Sequence, residues 1–315
     1  MAYSVRPSKG DFLLLTVMNI AGYNDNNGCS VLYDMRQKTR EHFAREINNP
    51  LVLEFYNLWM QNGIHNHPPW NAVLDIQKTE FGLTPSGDKN SERIRSVLEK
   101  FRSSTDFDEF YFRILPEYID VCEEVGSLLR KVDFINILDD AWEFKADFDV
   151  CVIPRPLDKV CDGYGPKIGN NALAIIAPGR SNGIPSYNSP FVRDFAAHEV
   201  SHTYIQTIEK QVMEIAESKG FAGKLRDFAR SQEARDYRGE SVLEETMLRA
   251  LQARYIGPFL DLPSHSIEKE LILDHEEGFE HIFKFDEAIR KHKENPEGSL
   301  AEAIADLMEK LLQYS

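Results

Sequence analysis

Two short apolar runs constrain this chain more than anything else in it. Phe148 to Ile153 reads FDVCVI and Ala172 to Ala177 reads ALAIIA. Each is short, apolar and set close to turn-forming residues, so both are expected as buried strands. The connection between them contains CDGYGPKIGN (Cys161 to Asn170), rich in turn residues. Elsewhere the apolar residues recur mostly at helical spacing. Helices are expected over Met35–Phe43, Pro50–Asn62, Glu92–Phe101 and Phe107–Val132, the last bent or broken at Pro116 and Gly126, with Gly63 ending the second. Gly179 to Ser189 reads as a loop. Ser189 and Pro190 then read as an N-cap with proline at the first helical position, opening a helix to about Ser218. Further helices are expected over Phe221–Arg235, Glu240–Ile256, Ile267–His292 and Ser299–Gln313. Helices, then a small sheet, then helices is the order of an α+β fold, mostly helical. The chain divides into a helical N-terminal part, 1–147, and a part carrying the sheet and the C-terminal helices, 148–315, whether separate or as one continuous domain.

Composition excludes several classes of function. Lys and Arg number 36 against 51 Asp and Glu, a formal charge of −15. Such a chain gains nothing from a phosphate backbone, so no nucleic-acid partner is expected. No apolar run reaches the 18 or so residues that span a bilayer, so no membrane span is expected. Phe12 to Ala21 (FLLLTVMNIA) is signal-like, but Asp11 abuts it and Asn19 interrupts it; a buried first helix is expected instead. Cys29, Cys122, Cys151 and Cys161 form no CxxC pair and read as reduced, mostly buried thiols, which suits a cytoplasmic location.

Within the helix expected after Ser189 lies His198-Glu199-Val200-Ser201-His202, an HExxH. Residues i and i+4 of a helix share one face, so both imidazoles can reach one ion. Zinc accepts neutral imidazole nitrogen, and two ligands on one helical face suit its tetrahedron. Glu199 sits about 100° around the helix from His198. It can therefore act on a water held by the ion without itself being a ligand. Zinc lowers the pKa of such a water toward about 7, and Glu199 is the candidate general base.

Two histidines and a water leave one place for a protein ligand. The long form HExxHxxGxxH fails, because Ile205 stands at the glycine position and Ile208 at the third histidine position. A carboxylate on a later helix is the common alternative. GESVLEETMLRALQARY offers Glu240, Glu244 and Glu245. Leu243, Met247, Leu248, Leu251 and Tyr255 form one apolar stripe, with Glu244 near its middle and Glu245 at its edge, one turn before Arg249. A lone buried glutamate is costly without a cation, which makes Glu244 a physical candidate. Glu245 also reads as an ordinary i,i+4 partner of Arg249.

IAGY (Ile20 to Tyr23), GYGP (Gly163 to Pro166), FAAHEVSH (Phe195 to His202) and ETMLRALQARY (Glu245 to Tyr255) are spread over most of the chain. With these pieces the chain resembles the gluzincin zinc peptidases, whose third ligand is a glutamate on a helix downstream of HExxH. It more closely resembles a bacterial family of uncharacterised domains with HExxH and a later Glu-x-x-x-Arg-Ala helix. The resemblance implies a zincin-like fold, with a small sheet beside the HExxH helix. It implies His198, His202 and Glu245 as zinc ligands and Glu199 as catalytic base. It also implies a zinc-dependent hydrolase that cleaves peptide or amide bonds in a peptide or protein substrate. The gap from His202 to Glu245 is wider than in thermolysin-like enzymes. The alternative is a non-catalytic metal-binding helical interaction module, for which an intact Glu199 has no evident use.

Other residues carry weaker signals. His65 and His67 sit in a proline-rich loop without an acidic neighbour and read as loop polarity. His275 and His281 lie in DHEEGFEH, which reads as a charged helix face. Tyr164 of GYGP is a candidate donor to an oxyanion or a plain turn tyrosine, and Tyr255 is expected in the core. The ALAIIA strand is a candidate edge for an extended substrate.

Overall fold

The computed structural model describes residues 3–23, 29–61, 67–235, 237–262 and 266–314. Helix accounts for 65% of it and its strands are short, so the fold is α+β and mostly helical. No helix among the described residues is long and apolar enough to cross a membrane. The chain packs as two compact units, one of residues 1–131 with 148–196, the other of residues 132–147 with 197–315. The boundary at 147/148 read from the sequence is one of three points where the chain passes between them.

The first unit contains the mixed sheet. Its strands are β1 (Tyr3–Val5), β2 (Asp149–Pro154), β3 (Gly163–Tyr164), β4 (Lys167–Ile168) and β5 (Asn171–Ile176), with β1 and β5 flanking β2 in parallel. From Val150 to Pro154 and from Ala172 to Ile176 every residue is buried, which is why these segments are apolar runs rather than alternating ones. β5 is not an edge. β2 takes one side of it and the returning β3 and β4 take the other, so the expected addition of a substrate strand there is ruled out.

Lys9–Ile20 forms a helix that starts at Ser8, whose hydroxyl accepts from the Asp11 amide. It is buried from Asp11 through Asn19, so the signal-like run is a core helix, apolar on all sides. Of the bend or break expected at Pro116 and Gly126, there is no break: Phe107–Arg130 is one continuous helix. Pro116 and Phe112, whose carbonyl loses its partner, are both exposed, so the gap in the hydrogen-bond ladder lies on the solvent side of the helix. The expected loop from Gly179 to Ser189 contains a two-stranded hairpin, Gly179–Ser181 with Ile184–Ser186. Ser189 donates to the Arg180 carbonyl (3.0 Å) instead of capping, and the helix begins at Phe191.

A buried ionic cluster lies beneath the first helix. Asp158 accepts from the Tyr23 hydroxyl (2.6 Å), Arg155 Nη1 (2.9 Å) and the Lys159 amide (2.8 Å). Arg36 donates to Asn19 Oδ1 (2.7 Å) and to the Tyr23 carbonyl (2.8 Å). Asp11 lies 3.6 Å from Arg155 and accepts from Gln77. Burial, partly countered by Arg155, pushes the Asp11 carboxyl up to about 6. Tyr164 packs on Trp70 in this unit, with ring centroids 4.5 Å apart. All four cysteines are free, and three of them are buried.

The second unit is helical apart from a short hairpin, Glu233–Ala234 with Tyr237–Arg238, which shortens the helix expected from Phe221. The expected helix Ile267–His292 is two, Ile267–Glu276 and Ile282–Glu294, separated at Gly278, whose φ of 101° suits glycine. The expected helix from Glu240 holds to Leu251, and one π-helical turn, Gln252–Ile256, follows. Tyr255, expected in the core, is half-buried beside Lys293.

Candidate metal centre

The helix Phe191–Lys219 carries HExxH on a part that is pinned from behind. Trp142 donates its indole N–H to Ser201 Oγ (3.1 Å), and Tyr204 donates to Asp139 Oδ1 (2.7 Å). Trp142 and Tyr204 also stack. Around the helix Ser201 lies about 100° and Tyr204 about 160° from His202, so this packing grips faces of the helix other than the one that carries both histidines.

Glu240–Leu251 supplies the facing carboxylate. Glu245 is 3% exposed, and its oxygens lie 3.6 Å from His198 Nε2 and 3.4 Å from His202 Nε2. Ligand atoms of His198, His202 and Glu245 all lie within 4.8 Å of one another, a grouping that could hold a metal ion. Four ligands about 2.0–2.2 Å from a tetrahedral zinc stand roughly 3.3–3.6 Å apart, so the spacing seen here fits such an ion. Glu199 is close by, its Oε2 3.9 Å from His202 Nε2, on the same helix but off the ligand face.

The far side of each imidazole is also occupied. His198 Nδ1 lies 2.8 Å from Gln252 Oε1, and His202 Nδ1 lies 2.9 Å from Glu244 Oε1. Both partners are oxygen acceptors, so each Nδ1 carries the proton and donates it. That tautomer leaves the Nε2 lone pairs on the Glu245 side, the arrangement that metal-binding histidines need. The donor set of two imidazoles and one carboxylate therefore fits zinc, and favours it over calcium or magnesium.

Electrostatics hold the cluster. Burial disfavours charge on Glu245, but His198, His202 and Arg249 outweigh it and hold its carboxyl well below the usual range. Arg249 Nε donates to Glu245 (3.0 Å), and its Nη1 to Asp274 (2.7 Å). Burial also opposes an imidazolium at His198, yet Glu245 and Glu199 prevail and raise its pKa to about 9.

The structure separates the two glutamates that the sequence left open. The apolar stripe pointed to Glu244 as the buried one, but Glu245 is the more deeply buried, with Arg249 as its cation; Glu244 is half-buried behind His202. Glu240 is exposed and faces Arg230. Gln252 was missed, since nothing marks one glutamine at a helix end; the π-helical turn carries it, and such turns recur at functional sites. Among the described residues no other grouping of His, Cys, Asp or Glu is of this kind: His275 and His281 join none, His67 lies near Lys159 and Asp162, and His65 falls outside the described residues. Replacing Gln252 or Glu244 by Ala should weaken metal affinity about 10–100-fold without unfolding the chain, the usual effect of losing an outer partner. Competition against a metallochromic chelator measures it, and unchanged affinity in both variants would refute the assigned tautomers.

Compared with protein-family profiles, with curated proteins and with solved structures, the chain matches none.

Proposed function

We propose that this protein is a zinc-dependent hydrolase of peptide or amide bonds. His198, His202 and Glu245 hold the ion and Glu199 is the general base. One observation carries the reading. Two imidazoles, each fixed in the Nδ1–H tautomer, turn Nε2 toward one buried carboxylate, and a second carboxylate that is not needed as a ligand stands 3.9 Å from one of them. A structural site has no evident use for that second carboxylate. When bound, the ion supplies Lewis acidity toward a substrate carbonyl and toward water. The chain does the rest. Glu199 takes a proton from the attacking water and passes it to the leaving amine. Arg249 keeps Glu245 ionised and in place, and Gln252 and Glu244 stop the imidazoles from turning. The four free thiols favour a cytoplasmic location, where a peptide or protein is the substrate.

Elemental analysis of protein purified without chelator should find about one zinc per chain. A peptide-library digest read by mass spectrometry should show cleavage that a chelator stops and added zinc restores. Protein that takes up no zinc would defeat the whole reading. Protein that binds zinc but cuts nothing would be a non-catalytic metal-binding module instead.

A further inference from the structure

The seam between the HExxH helix and the Glu240–Leu251 helix continues past the metal-type cluster. His198 pairs with Gln252, and His202 with Glu244, so the two helices run antiparallel. Seven residues after His202 on the same face comes Glu209, about 10 Å further along the axis. There the second unit contains a cavity of about 340 Å³. Its apolar wall includes Leu225, Leu243, Met247 and Met308, all buried. Three carboxylates line it as well: Glu209, Glu240 and Glu244. Glu244 is thus shared, touching His202 on one side and the cavity on the other.

Resting on the proposed hydrolase, we infer that this cavity receives a lysine or arginine side chain of the peptide substrate, within about three residues of the bond cut. Its aliphatic stem lies on the leucines and methionines, and its cation meets Glu209 and Glu244.

Three observations lead to this occupant. The volume is at the small end of ligand pockets, about 300–1,000 Å³, enough for one long side chain. The distance from His202 equals about three residues of extended chain, at roughly 3.3–3.6 Å each, so a side chain close to the scissile bond can reach it. One carboxyl of the lining is unpartnered. Glu209 is half-buried and has no hydrogen-bond or ion-pair partner among the described residues. Burial, then Glu244, push its carboxyl up to about 8, with Glu240 adding to the effect and His202 opposing it. The one cation in the lining, Arg226, is engaged with Glu217 at 2.9 Å. A ligand that brings a stem to the apolar wall and a positive charge to these carboxylates satisfies both halves of the cavity. Methionines, which adapt their shape readily, accommodate either an ammonium or a guanidinium end.

Two measurements test the proposal, one of them without catalysis. In calorimetry on metal-free, full-length protein, n-pentylammonium and n-butylguanidinium should bind and n-pentanol should not. Glu209→Gln should weaken that binding about ten- to hundredfold, the range for losing a charged hydrogen bond. Ala229→Leu, which narrows the cavity from its lining, should weaken it too, so a misfolded Glu209 variant does not end the test. With zinc-loaded protein, peptides that differ only in lysine, arginine or norleucine at each position around the cut are compared. One position should favour the cationic residues, and Glu209→Gln should lower the lysine-to-norleucine ratio of kcat/KM by the same factor. The relative rates of the lysine and arginine peptides say which cation the pocket prefers. Amine binding that Glu209→Gln weakens, without cleavage of any peptide, would support the pocket and refute the hydrolase. Cleavage without cationic preference, or a preference for norleucine, would overturn the pocket and leave the hydrolase standing. No binding by either cation in the wild type would overturn it as well.

Discussion

Glu199→Gln should keep its zinc and its fold and lose hydrolysis by about 10²–10⁴-fold, the usual contribution of a general base. Glutamine has nearly the same shape as glutamate, and Glu199 is only 8% exposed, so the packing around it is preserved. It is not among the three residues whose ligand atoms converge, so metal content should match the wild type. What changes is one property: an amide oxygen cannot take up a proton near neutral pH. Single-turnover cleavage of a library-derived peptide, with elemental analysis of the same samples, separates loss of chemistry from loss of metal. A variant that binds zinc and cuts as fast as wild type would rule out Glu199 as the base.

Asp158→Ala should destabilise the first unit by about 3–5 kcal/mol, the cost of leaving a buried charge without its partner. Arg155 is 2% exposed, and Asp158 is its closest counter-charge, at 2.9 Å against 3.6 Å for Asp11. The substitution also strands the buried Tyr23 hydroxyl and the Lys159 amide, which both donate to Asp158. Asp158→Asn, which keeps an acceptor oxygen but loses the charge, should cost less. Urea denaturation, with the slope compared between variants, measures the difference. A loss below about 1 kcal/mol, as for a surface ion pair, would mean that water already reaches this cluster.

Of the fold, what was legible in the sequence was whatever depends on neighbours in the chain. FDVCVI and ALAIIA are strands because a segment buried on both faces must be apolar throughout. The misread segments share a cause. Pro116 was expected to bend or break a helix, and the helix is not broken, because the lost hydrogen bond falls on the exposed side. Ser189 was expected to cap, but a hairpin brings the Arg180 carbonyl within its reach. In each case a local rule was correct, and a surrounding that the local sequence does not record changed its outcome.

The candidate site divides along the same line. By itself the sequence determined that His198 and His202 share a helical face with Glu199 off that face, because five consecutive residues of a helix have one geometry. It did not determine which glutamate would face them. Glu244 and Glu245 differ by about 100° on their helix, and which of them meets the histidines depends on how that helix is rotated against another some forty residues away. In the rotation seen, half-buried Arg249 holds both Glu245 and Asp274, and the π-helical turn carries Gln252 against His198. Only the tertiary structure therefore brought Glu245 to the two Nε2 atoms, put Glu244 and Gln252 behind the imidazoles, and opened an acidic cavity two turns further on. The phase between two packed helices is fixed by side chains distant in sequence, and no periodicity within either helix encodes it.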